Sequence, residues 1–309
     1  MRVLFFGTPE FAVPSLMALV GEGFDVAAVV TRPDVAIGRH RSRVEAPPVK
    51  RAALAEELKI LQPAKPADPA FLADVRALAP PPDVSVVVAY GHILKPDLLA
   101  LPRHGSINVH ASLLPLLRGA APIQRAILEG HSETGISIMR MEAGLDTGPV
   151  LHQARTPIAP DETGGELAAR LAEMGALALI EALTLLEETG LAAEPQDESR
   201  ATYAPKLTRD DERLDWLRPS EEVARKIRAL DPAPGAWTDC RGAALKLFGA
   251  RQAPGEGVPG LVIGMRDMLR VACGKGAVDI TDVQPAGKAR MSARAFATGR
   301  GVLEGDRLL

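Results

Sequence analysis

Three short apolar runs constrain this chain most: Arg2–Phe6, Val26–Val30 and Val84–Ala89. Each is strand-length and carries no polar face, so each needs cover on both sides, which is the condition of a strand inside a parallel sheet flanked by helices. The spacing agrees. Gly7-Thr8-Pro9 follows the first run, with Thr8 placed to cap a helix that has Pro9 at its first position. That helix is predicted to reach about Val20 and to stop at Gly21-Glu22-Gly23, before the second run. Strand, helix, strand over thirty residues is a βαβ unit. Its first turn has one glycine and not the three of a dinucleotide fingerprint, so no nicotinamide or flavin is expected.

Farther along, Arg32–Pro48 reads as a long loop, and helices are predicted over 47–58 and 68–78 with a short strand at 60–62 between them. Ile107 and Val109 alternate with Asn108 and His110, a strand that yields to a proline-and-glycine loop and then to a helix over Ile123–Glu129. Gly135–Met141 and Val150–Pro157 read as strands, and Gly164–Glu188 as a long helix with Leu167, Leu171, Met174, Leu177, Ala178 and Leu185 at helical spacing. Residues 189–205 are polar and poor in large apolar side chains, as in an interdomain linker. A helix opened by Ser220 follows, Pro219–Leu230, and then five short strand candidates: Ala236–Cys240, Ala244–Phe248, Gly260–Ile263, Leu269–Ala272 and Ala277–Val283. That rhythm predicts a small barrel or a sandwich. The division is therefore 1–188, a linker over 189–205, and 206–309.

Charge separates the two parts. Lys and Arg number 18 against 25 Asp and Glu over residues 1–205, and 18 against 14 over 206–309. A basic second part on an acidic first part is compatible with a polyanionic partner and equally with an ordinary solvated surface. Three arginines in five residues, Arg39, Arg41 and Arg43, leave the same two readings open: a solvated loop, or a finger that seeks phosphate. Only Cys240 and Cys273 are present, without metal-ligand spacing, and no stretch approaches the roughly 20 apolar residues of a membrane span. A soluble, cytoplasmic protein without a metal is expected.

The candidate chemistry lies at the end of the 106–110 strand. Asn108 and His110 share one face because residues two apart in a strand point the same way. A buried strand with two satisfied polar side chains is the plainer reading. Gly144-Leu145-Asp146-Thr147-Gly148 is a tight loop that either bonds its own backbone or brings Asp146 to His110, if the strands before the two loops are parallel neighbours. A carboxylate, an imidazole and an amide together suit acyl transfer without a covalent intermediate. Asn108 and His110 would donate to the oxygen that gains charge, and Asp146 would take the proton lost by an attacking amine. No serine or cysteine sits in a nucleophile elbow.

The same residues carry a family likeness. Asn108, His110 and Asp146, with Ser112-Leu113-Leu114-Pro115, Arg118-Gly119-Ala120-Ala121-Pro122, Phe6-Gly7-Thr8-Pro9-Glu10-Phe11 and the 144–148 loop, resemble the formyltransferases that use 10-formyltetrahydrofolate. Gly38-Arg39, Tyr203-Ala204-Pro205-Lys206-Leu207, Asp215-Trp216 and Pro234-Gly235-Ala236-Trp237 narrow the likeness to the branch acting on initiator methionyl-tRNA; Leu116 and Leu117 depart from its pattern. The resemblance implies an α/β chain: a Rossmann-like catalytic domain with a parallel sheet, a linker, and a smaller OB-like β-barrel that binds tRNA. It implies catalysis by Asn108, His110 and Asp146, folate contacts at Ser112, Leu113, Leu114 and Pro115, and tRNA contacts at Arg39, Arg41, Arg43 and Lys206. The co-substrate would be 10-formyltetrahydrofolate, the acceptor the methionyl α-amino group, and the enzyme a monomer. Two rivals are a relative acting on a small amine, such as a nucleotide sugar, and a tRNA-binding protein whose catalytic domain has decayed.

Overall fold

The computed structural model describes residues 1–37 and 43–309; Arg39 and Arg41 lie outside the described residues. The chain forms two compact units. The first contains Met1–Gly119, Thr134–Thr156 and Ala169–Tyr203, and the second contains Ala120–Glu133, Pro157–Ala168 and Ala204–Leu309.

The first unit begins β1 (Arg2–Gly7), α1 (Val13–Gly21), β2 (Asp25–Val30). The expected cap at Thr8 is not formed. Its hydroxyl donates instead to the Tyr90 carbonyl, and a 3-10 turn over Glu10–Ala12 leads into α1. The predicted loop over 32–48 holds an antiparallel hairpin, β3 (Val35–Ile37) and β4 (Arg43–Glu45). Then come α2 (Pro48–Ala55), β5 (Ile60–Leu61), α3 (Pro69–Arg76, capped by Asp68), β6 (Val84–Val88), α4 (Pro96–Leu99) and β7 (Ser106–His110). The helix α5 (Pro122–Leu128) belongs to the second unit, and β8 (Glu133–Arg140), β9 (Val150–Pro157) and the long α6 (Gly164–Thr189) follow.

The sheet order is β5-β2-β1-β6-β7-β8-β9. Pairing from β5 through β7 is parallel, as the apolar runs require. Val3, Leu4, Phe5 and Phe6 of β1 and Val84, Val86 and Val88 of β6 are fully covered. On one side Leu4, Phe6, Val30 and Val87 belong to a cluster with Phe71, Val75 and Leu78 of and beside α3. The chain leaves β1 toward β2 and returns on the other side to β6, so the carboxyl ends of β1 and β6 flank the switch point where such sheets bind ligands. The Thr8 hydroxyl on the Tyr90 carbonyl, 3.0 Å, joins those two ends.

One expectation about this sheet is corrected. β8 runs antiparallel to β7, with His110 opposite Ser137 and Ile107 opposite Arg140. Strand, helix, strand implied a parallel return, but α5 packs against a helix of the second unit and supplies no crossover on this sheet.

The second unit adds α7 (Arg209–Glu212), α8 (Ser220–Ala229), β10 (Ala236–Cys240), β11 (Ala243–Ala253), β12 (Val262–Gly264), β13 (Leu269–Ala272), β14 (Ala277–Pro285), β15 (Met291–Ser292) and α9 (Ala293–Thr298). Ser220 is the first residue of α8 and not its cap; Pro219 holds that position and makes no side-chain cap bond. The sheet is antiparallel, in the order β10-β11-β14-β13-β12, and curls into a half-barrel; β15 pairs the far end of β14. Residues 305–309 lie between its two outer strands. Asp239 of β10 and Leu309 exchange both backbone hydrogen bonds, at 2.8 and 3.0 Å, while Leu308 donates to Gly260 and Val262 of β12 donates to Asp306. Inside are Leu245, Leu247, Val271, Val278, Ile280 and Leu308, against Val223 and Ile227 of α8.

Candidate active site

His110 ends β7 at the carboxyl edge of the sheet and is 5% exposed. Its Nε2 lies 3.1 Å from the Leu117 carbonyl oxygen. A carbonyl only accepts, so Nε2 carries a hydrogen in either charge state. Nδ1 is left to face Asp146, whose Oδ2 is 3.8 Å away, an ion-pair distance rather than a hydrogen bond. Should Nδ1 donate to anything, the ring must be an imidazolium. Asn108, two residues earlier on the same face, is half-buried, and its amide makes no hydrogen bond among the described residues.

The residues on either side of Arg118 hold both of these groups. The Leu117 carbonyl takes the His110 hydrogen bond, and the Gly119 N–H donates to Asp146 Oδ2 at 2.9 Å. Leu117 and Asp146 both adopt left-handed backbone conformations, with φ of 58° and 52°. For non-glycine residues such conformations persist only where surrounding contacts hold them. Here the Thr202 hydroxyl accepts the Leu117 N–H at 2.9 Å, and the Gln196 amide donates to the Asp146 and Gly148 carbonyls at 2.8 and 2.7 Å. Gly148 packs so tightly that a Cβ there would overlap the Arg140 carbonyl oxygen.

Between those contacts the Arg118 side chain is fully buried. Nε and Nη2 donate to Gln196 Oε1 at 3.0 and 2.8 Å, and Nη1 and Nη2 grip the Glu198 carboxylate at 2.9 and 2.7 Å. The Arg118 guanidinium beside it holds the Glu198 carboxyl below its ordinary range. The segment predicted as a linker is thus folded onto the loops around His110 over Gln196–Tyr203, with the Arg118 N–H donating to the Thr202 carbonyl. Gln196 carries no signal in the sequence. It sits between Pro195 and Asp197 in a stretch without helix or strand periodicity, and its partners are 48 to 78 residues away.

The other predicted residues fall as follows. Ser112, Leu113 and Leu114 turn inward and are buried, and Pro115 is half-buried. The Ser112 hydroxyl donates to the Leu116 carbonyl at 2.6 Å, while Ser137 and Gln153 fasten the Ser112 and Leu114 carbonyls. Arg43 opens β4. Lys206 is exposed and makes no ion pair among the described residues. At the switch point Tyr90 is buried, its hydroxyl has no hydrogen-bond partner among the described residues, and burial pushes its pKa up to about 12. Among the described residues no three His, Cys, Asp or Glu side chains gather as metal ligands, and no helix is long and apolar enough to cross a membrane.

Comparison with known proteins agrees with this architecture. The formyl transferase family model matches residues 1–183, and the model of the formyl transferase C-terminal domain matches 206–301. The chain is 48% identical to a methionyl-tRNA formyltransferase of Ruegeria pomeroyi, with all of both chains covered. It is 47% identical to one of Myxococcus xanthus, covering 99% of this chain and 97% of that protein. Among solved structures, HypX from Aquifex aeolicus in complex with tetrahydrofolic acid superposes with a TM-score of 0.69 at 20% identity. That likeness covers 98% of this chain but only 48% of HypX, and it speaks to fold alone. A parallel-sheet unit carrying Asn108, His110 and Asp146, a curled antiparallel unit after it, and full-length identity near one half place the chain in the formyltransferase family, with the methionyl-tRNA formyltransferases.

Proposed function

We propose that this protein transfers the formyl group of 10-formyltetrahydrofolate to the α-amino group of methionyl-initiator-tRNA, as a monomeric cytoplasmic enzyme of translation initiation. The full-length identity to methionyl-tRNA formyltransferases carries this reading. The donor set fits the reacting end of such a folate. It holds an amide with no hydrogen bond among the described residues, an imidazole nitrogen and a carboxylate at one sheet edge. The bound co-substrate supplies the formyl carbon as an acyl group on nitrogen.

The chain's own residues then divide the work. Asn108 donates its N–H to the formyl oxygen as charge develops there, and His110 donates to the same oxygen from its ring. Asp146 accepts, directly or through water, the proton the amine loses. An α-amino group with a pKa of roughly 7.7–8.0 keeps about a tenth or more of its population as free base at neutral pH, so the site must position it more than activate it. Ser112–Pro115 would form one wall of the folate site, and since the first three side chains turn inward, their backbone and Pro115 would meet the ligand. Arg39, Arg41, Arg43 and Lys206 would engage tRNA phosphates.

The deciding experiment measures transfer of a labelled formyl group from 10-formyltetrahydrofolate to charged initiator tRNA, beside free methionine and amino sugars. Formylation of the tRNA with little on the small amines is expected. Turnover on a small amine alone would overturn the assignment.

A further inference from the structure

Gln196 stands apart from the groups assigned above, yet it touches more of the site's framework than any of them. It comes from the segment after α6, and both ends of its amide are occupied. Oε1 accepts from Arg118 Nε and Nη2, and Nε2 donates to the carbonyls of Asp146 and Gly148. The orientation of the amide is forced. The fully buried guanidinium has only donors to offer, so it faces the oxygen; the two carbonyls only accept, so they face the nitrogen. Turned over, the amide would set donor against donor and acceptor against acceptor.

Arg118 adds a second link. Its neighbours in the chain hold His110 through the Leu117 carbonyl and Asp146 through the Gly119 N–H. Its own side chain reaches Gln196, which holds the backbone of Asp146 from the other side. The circuit closes: residues 117–119, Gln196 and residues 146–148 fix one another, and His110 and Asp146 face each other inside it. The Asp146 backbone is left-handed, φ 52°, and Gln196 bonds its carbonyl in that conformation.

We propose that Gln196 is a positioning residue for formyl transfer: through its amide, oriented by Arg118, it holds the 146–148 backbone so that the Asp146 carboxylate stands against His110 and the Gly119 N–H. This rests on the roles given to His110 and Asp146 above. Gln196 would touch no substrate.

Gln196→Glu is the sharp test. It keeps size and keeps an acceptor for Arg118, but places an oxygen against the two carbonyls. Displacement of a reacting group by about 1 Å can cost on the order of 100-fold in rate. We expect kcat to fall about 10- to 100-fold, with KM for folate and tRNA and the thermal midpoint little changed. In an Asp146→Asn background the same substitution should cost less than about twofold, since the group it positions is already gone; a merely structural role would repeat its full factor. The amide proton of Gly119 should shift in NMR spectra and exchange faster in Gln196→Glu, a readout that needs no turnover. Gln196→Met, which removes all four hydrogen bonds at similar volume, is measured alongside in case the charged variant fails to fold. Unchanged kcat in a folded variant, a loss confined to KM, or full additivity with Asp146→Asn would each overturn the proposal. If the wild-type enzyme itself fails to formylate methionyl-tRNA, the functional reading falls, while the Gly119 amide still reports whether the clamp exists.

Discussion

His110 gives its two ring nitrogens unlike company: a carbonyl at Nε2, which fixes one hydrogen, and a carboxylate across from Nδ1. Asn108 is the opposite case, an amide on the same strand face with no bond to lose among the described residues. This makes Asn108→Ala a clean probe. Removing one donor to a developing oxyanion costs roughly 100- to 1000-fold in kcat, and among the described residues no hydrogen bond ties that half-buried side chain to the fold. The expected result is that loss of turnover with the melting temperature within about a degree of wild type; a matching fall in thermal stability would instead assign the amide to packing. At this scale the sequence was informative where chemistry is local. Strand alternation put Asn108 and His110 together, and two bracketing glycines marked Asp146 as a loop residue. It was silent on Gln196 and on the Leu117 carbonyl, because a backbone acceptor has no letter of its own and a lone glutamine in an aperiodic stretch has no pattern. The Ser112 hydroxyl likewise reads as available in the sequence and is engaged with Leu116 in the structure.

Among the elements, runs with no polar face were read well, since only burial on both sides suits them: β1, β2 and β6 lie where the apolar residues are. Direction was read less well. The parallel return from β7 to β8 followed from an intervening helix, and whether a helix packs on a given sheet depends on partners distant in sequence, here α8 for α5. Asp146 nevertheless reaches His110, because the 141–149 loop after β8 folds back toward β7. Short elements without periodicity, α7, β15 and α9, were not foreseen. Nor was the segment 305–309 as a seam between β10 and β12. Its anchor is Leu308, 1% exposed in the barrel core. Leu308→Ala should lower the unfolding free energy by about 2–5 kcal/mol, the usual range for a buried leucine. Urea titration followed by tryptophan fluorescence checks this, since Trp216, itself 5% exposed, lies in the same core. An unmoved midpoint would mean that the seam is dispensable.

At the scale of the molecule, charge divides as function would have it, with the excess of lysine and arginine confined to residues 206–309. Lys206 opens that stretch, exposed and without an ion-pair partner among the described residues. If its ammonium meets a tRNA phosphate, Lys206→Ala should reduce the slope of log affinity against log salt by about one. Affinity for methionyl-tRNA over a salt series measures this, with KM for folate as the unaffected reference; an unaltered slope would remove Lys206 from the tRNA surface. The seam has a temporal side too. Residues 305–309 pair with strands made some forty to seventy positions earlier, so β10 and β12 leave the ribosome with bare edges. Until the stretch that seals them has emerged from the exit tunnel, those two edges stay open to pairing with another nascent chain.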